Sequence, residues 1–293
     1  MEKKFYIPIA SVFKAYLFIL KGSIDYLQEK YKSDNIDDIK SYQVVILSRI
    51  YKSMTTLEII LSQCNDPASS YGLLRTIIDS ICAYCFIYDN SNEEEKSFRH
   101  YLYLLDGISK YLELFPTKYE NNTLLSDIDK SQVLRDAKQS IDNMFGIKEG
   151  ILNSLSHHCY MSRYPISAKS IVDKREWKFK SIDCDDKLEY YSWRGIYDKI
   201  GCNQLMSDFI LKYLSQYVHG LFLSNTRDSN TITHYNLIYD ILVTFIKKLI
   251  NTVFRIYKDD DVSTEFVTKV NIDNYVNKER ISLREALDYL KVK

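Results

Sequence analysis

Apolar residues recur at intervals of three and four along most of this chain, the spacing that lines one face of an α-helix. Blocks of this kind run over 9–31, 42–64, 69–88, 93–115 and 131–155, and again over 188–200, 204–223 and 233–257. Each block predicts a helix, and most are long. The stops agree with the blocks. Asn65-Asp66-Pro67 separates the second from the third, and Asp89-Asn90-Ser91-Asn92 precedes Glu93-Glu94-Glu95, whose acids suit the positive start of a helix. Pro116 closes the fourth block, and Ser282 with Glu285 reads as a capping box opening a short final helix. The pattern predicts an all-α array of about eight to ten helices.

One stretch breaks the period. From Arg163 to Asp186 the chain carries Pro165, then the charged and aromatic run Lys174-Arg175-Glu176-Trp177-Lys178-Phe179-Lys180, then Asp183, Asp185 and Asp186. This predicts an irregular excursion, a long loop or a short hairpin. The expected organisation is therefore an N-terminal bundle over 1–160, the excursion over 161–187, and C-terminal helices over 188–293 packed on the first bundle as one compact unit.

Composition sharpens the picture. Only 8 Gly and 4 Pro occur in 293 residues, too few to punctuate a strand-rich fold. The 39 basic and 39 acidic residues cancel, so no global field draws the protein to a polyanion. Lys14 interrupts the apolar run after the start, which argues against a signal peptide. Lys247-Lys248 split the best late stretch short of the uninterrupted 18 or so apolar residues that a membrane span needs. The expectation is a soluble, cytoplasmic protein without a membrane partner. Six cysteines scattered at 64, 82, 85, 159, 184 and 202 read as reduced and mostly packed, and most of the 25 tyrosines as core-edge residues with the hydroxyl at water.

Two places could carry chemistry. Between Tyr71 and Tyr88 the chain is apolar around nearly the whole helix except for Arg75 and Asp79, at i and i+4. They read either as a buried ion pair fixing helix register or as a guanidinium lining a pocket for an anion. The second place is Tyr213-Leu214-Ser215-Gln216-Tyr217-Val218-His219-Gly220, where Ser215 and His219 stand one helical turn apart beside Tyr213. His219 is either a packed, hydrogen-bonded residue or, if the Arg75 helix lies against it, part of one polar pocket. Metals and cofactors are not expected. Cys82-x2-Cys85 sits in an apolar helix where cysteine acts as a small hydrophobe, and His157 and His158 would point different ways. Asp259-Asp260-Asp261 reads as a solvated turn or a weak cation site.

Leu74-Arg75-x3-Asp79, Phe98-Arg99-His100-Tyr101, Trp193-Arg194 and Tyr213-x-Ser215-x3-His219-Gly220 resemble a family of bacterial helical proteins known as a domain of unknown function, over most of residues 40–225. Members often carry Glu where this chain has Asp79. A looser resemblance is to the HEPN superfamily, helical domains that include metal-independent ribonucleases of defence systems. Arg227-Asp228-x5-His234 matches the spacing of its Arg and His signature, although the segment also reads as a solvated loop before a helix.

That resemblance implies a bacterial stress- or phage-defence effector cleaving RNA without metal. His219 or His234 would be the acid or base, and Arg75 or Arg227 would stabilise phosphate charge. The competing expectation is a non-catalytic interaction or ligand-binding module, with Arg75, Asp79 and His219 setting helix register and a protein partner or a homodimer as the assembly. A basic face formed by Lys174, Arg175, Lys178 and Lys180 would favour RNA.

Overall fold

The computed structural model describes residues 9–33, 35–64, 66–114, 127–183, 188–218, 231–260 and 262. Pro116, Cys184, His219, Gly220, Arg227, Asp261 and the capping box at Ser282 and Glu285 lie outside the described residues. The protein is all-α. Its helices are α1 (Ile9–Lys30), α2 (Ile39–Ile59), α3 (Pro67–Tyr88), α4 (Glu93–Leu114), α5 (Asp127–Ser156), α6 (Cys159–Arg163), α7 (Pro165–Lys174), α8 (Trp193–Lys199), α9 (Gln204–Asp208), α10 (Ser215–Val218) and α11 (Thr231–Ile256). Two π-helical segments, Ile60–Cys64 and Phe209–Leu214, continue α2 and α9.

Local chemistry explains the helix starts. Asp38 accepts from the Ser41 N–H to cap α2, and Asp66 accepts from the Ser69 N–H ahead of Pro67, which needs no partner at the first position. Asn92 caps α4 by accepting from the Glu95 N–H, with three glutamates in the first turn. Asn203 does the same for α9.

The chain folds as two compact units, one of residues 1–89 with 193–293 and the other of residues 90–192. In the first unit α11 returns to pack on α1 and α3, and in the second α4 pairs with α5. In the first unit α3 lies against α2 and α11 and also receives α8, the segment Phe209–Leu214 and α10. Leu74, Ile77, Ile78, Ile81 and Cys82 of α3 are buried along one face, and Ala83 and Ile87 on the opposite one, as a central helix requires. By length and composition α3 could cross a membrane, but 67% of its most apolar window is buried inside the protein.

Several expectations change. Pro165 opens α7 where an excursion was expected, because a proline at the first helical position fits the helix, and Ala168 and Ile171 anchor its inner face. α7 stops at Arg175, whose φ of 55° is left-handed. The irregular stretch is thus shorter and carries an isolated antiparallel bridge between Phe179 and Tyr190. The helix expected from 188 begins only at Trp193, and the block from Gln204 breaks into α9, the π-helical segment and α10.

The acidic run after α11 is not simply solvated. Asp260 is 7% exposed, accepts from the Tyr31 hydroxyl at 2.8 Å, and pairs with Lys30 at 2.7 Å. Most of the described tyrosines are half-buried at the edge of the core, as expected, but Tyr71, Tyr84, Tyr88, Tyr197 and Tyr257 are among the largest fully buried side chains. Among the described cysteines, all free, only Cys82 and Cys85 are fully buried, and Cys64 is exposed.

Candidate functional site

Tyr71, Arg75 and Asp79 stand at successive i+4 positions on α3 and so line one stripe of an otherwise apolar helix. Arg75 is 8% exposed. Its Nε donates to Asp79 Oδ2 at 2.9 Å, and its Nη1 donates to the Ile210 carbonyl at 2.6 Å. That carbonyl belongs to the π-helical segment Phe209–Leu214. The guanidinium lies 5.6 Å from the centre of the Tyr197 ring. The Tyr197 hydroxyl in turn donates to Asp79 Oδ1 at 2.5 Å. Burial raises the Asp79 carboxyl above its ordinary value despite the opposing pull of Tyr197 and Arg75. Burial and the neighbouring Asp79 likewise push the Tyr197 hydroxyl far up, so it stays a donor.

One turn earlier on the stripe, Tyr71 is fully buried and its hydroxyl is 2.5 Å from His234 Nδ1 on α11. Its ring packs edge-on against Tyr213 and tilted against Tyr217, with centroids 5.5 and 4.7 Å away. The Tyr213 and Tyr217 hydroxyls lie 3.0 Å apart. The Arg75 helix therefore does pack on the segment that leads to Ser215, which opens α10. Of the sequence candidates, Arg75 and Asp79 share one cluster, and Tyr213 and His234 share the adjoining one. His219 and Arg227 lie outside the described residues.

Sequence reasoning missed Tyr71, Tyr197 and the Ile210 carbonyl. Tyr71 was detectable as the next member of the four-residue stripe. Tyr197 and a main-chain carbonyl from a distant segment carry no signal in linear order.

The second unit repeats the arrangement. Arg99, 2% exposed on α4, donates from Nε to Glu95 at 2.8 Å and from its two terminal nitrogens to the Trp177 and Phe179 carbonyls, each at 2.7 Å. Its guanidinium stacks 4.0 Å from the centre of the Phe179 ring. In both units a buried arginine binds an acid one turn away and fastens the irregular backbone of another segment to a long helix.

The remaining candidates are occupied locally. Burial pushes Cys82 well up and Cys85 up to about 11, so both stay thiols. Among the described residues no group of three or more His, Cys, Asp or Glu is placed to hold a metal ion. In the expected basic face, Arg175 pairs with Glu113 at 2.8 Å, Lys178 with Glu176 at 3.7 Å, Lys180 with Glu189 at 2.7 Å, and Lys174 reaches the Tyr190 hydroxyl at 3.5 Å. The chain matches no protein-family model, no curated protein and no solved structure.

Proposed function

We propose that the protein is a non-catalytic helical interaction module in which the polar stripe of α3 is a structural fastener. The observation that carries this reading is the network of internal hydrogen bonds around Arg75. Arg75 donates to Asp79 and to a main-chain carbonyl, and Asp79 accepts from Arg75 at one oxygen and from Tyr197 at the other, so both carboxylate oxygens and two of the five guanidinium N–H groups are engaged within the fold. The matching arrangement at Arg99 points the same way. Net charge of zero and the local pairing of Arg175, Lys178 and Lys180 leave little of the basic footprint that RNA binding uses.

A second reading, a metal-independent RNA-cleaving defence effector, is favoured by one contact. The Tyr71 hydroxyl against His234 Nδ1 would hold that ring in one orientation, as an acid or base requires. The deciding experiment is incubation of purified protein with total RNA in excess chelator, for wild type, His219→Ala and His234→Ala. The interaction module gives no cleavage. Chelator-resistant cleavage that one histidine variant loses, with its circular dichroism unchanged, would overturn it and name the catalytic residue.

A further inference from the structure

His158, outside the polar stripe, is held in a single protonation state by its neighbours. It precedes α6, and its Nδ1 accepts from the Tyr160 backbone N–H at 3.2 Å. A backbone amide can only donate, so that nitrogen carries no proton. Nε2 lies 2.9 Å from the Ser97 hydroxyl on α4, and that hydroxyl donates its own proton to the Glu94 carbonyl at 3.0 Å. The serine oxygen must therefore accept, and Nε2 is the protonated nitrogen. Both ring positions are fixed by geometry: His158 is the neutral Nε2–H tautomer, joining the start of α6 to α4.

Protonating Nδ1 would set one N–H against another. The titratable and charged groups against the ring are Glu94 from α4 and Arg163, Cys159 and Tyr160 from α6. Cys159 Sγ lies 3.7 Å from Nδ1. Glu94 would welcome an imidazolium, but Arg163 already grips that carboxylate through two hydrogen bonds of 2.6 and 3.1 Å. The Phe98 and Tyr160 rings, centred 4.9 and 5.0 Å away, keep water from part of the imidazole. Burial accordingly lowers the His158 pKa, with Glu94 opposing and Arg163 assisting.

We propose that His158 is a proton-operated latch: taking up a proton at Nδ1 breaks its hydrogen bond to the Tyr160 N–H and uncaps α6, while Nε2–H stays on Ser97. The native ring binds its proton less readily than the unfolded one. The cap is therefore fully present above the ordinary imidazole value of 6.5 and is lost as pH falls through the lower native value.

The test is nitrogen-15 NMR of the imidazole with amide protection factors across a pH series on the full chain. The expected result is a neutral Nε2–H ring titrating below its ordinary value, with protection of the Tyr160 amide falling by up to about tenfold per pH unit in that interval. His158→Asn, which can cap a helix without titrating near neutrality, should hold protection flat with pH, and His158→Ala should lose it at every pH. An Nδ1–H tautomer, a ring titrating at or above its ordinary value, or an acid response that persists unchanged in His158→Asn would overturn the latch. The tautomer and titration decide even if a variant folds poorly.

Discussion

Replacing Arg75 by Met keeps the apolar stem of the side chain and removes the guanidinium. Two acceptors are then stranded: the Ile210 carbonyl, now 2.6 Å from its donor, and the Asp79 carboxylate, which keeps Tyr197. A buried carbonyl left without a partner costs about 1–3 kcal/mol, and breaking a buried ion pair from one side about 3–5 kcal/mol. The Asp79 side chain is 26% exposed, so water recovers part of the second cost. The expected loss is about 3 kcal/mol. With each kcal/mol worth about 2–4 °C in a domain of this class, the melting temperature should fall by about 6–12 °C.

The loss should also depend on pH. Asp79 already has a raised native pKa, and removing the cation raises it further. A carboxyl whose native pKa exceeds its unfolded one binds more protons when folded. Its contribution is greatest below the unfolded value and is lost as pH rises through the native one. The deficit of Arg75→Met should therefore shrink on moving from neutral pH into the acid range, and Arg75→Met with Asp79→Leu should regain most of the stability. Circular dichroism melts of both variants at several pH values measure this. A loss below about 1 kcal/mol, a deficit that does not shrink in acid, or a double variant worse than the single one would refute the fastener.

Two further predictions concern other buried polar groups. Burial alone would raise the Asp260 carboxyl, but Lys30 and the Tyr31 hydroxyl outweigh it and hold it below its ordinary value, so its contribution is present above that range and lost as pH falls through the native value. Asp260→Asn should cost about 1–2 kcal/mol at neutral pH in urea unfolding and flatten the acid limb of the stability profile; an unchanged acid limb would count against the contact. Arg99→Lys should cost about 2–4 kcal/mol, because one ammonium cannot reach Glu95 and two carbonyls together. Trp177 emission, from a ring 5% exposed, should shift to the red at lower denaturant concentration, and wild-type behaviour would refute that role.

The apolar period by itself determined the all-α class and the centre of the first unit. A helix that is apolar around nearly its whole circumference, as from Leu73 to Phe86 apart from Arg75 and Asp79, has nowhere to go but among other helices. Caps at Asp38, Asp66 and Asn92 were likewise written in local sequence, since capping joins residues two or three apart. The i, i+4 spacing of Arg75 and Asp79 gave their mutual contact for the same reason.

Tertiary structure decided everything that links distant segments. That Pro165 starts a helix depended on Ala168 and Ile171 finding a surface to bury. Breakage of the block after Gln204 into a π-helical segment goes with the Arg75 guanidinium reaching Ile210 across 135 positions of chain. Asp260 could be read as solvated until Lys30 and Tyr31, more than two hundred residues earlier, closed over it. Periodicity records which face of a segment avoids water. Which side chain or carbonyl will complete a buried charge depends on how the faces meet, because a backbone acceptor looks the same at every position of the sequence.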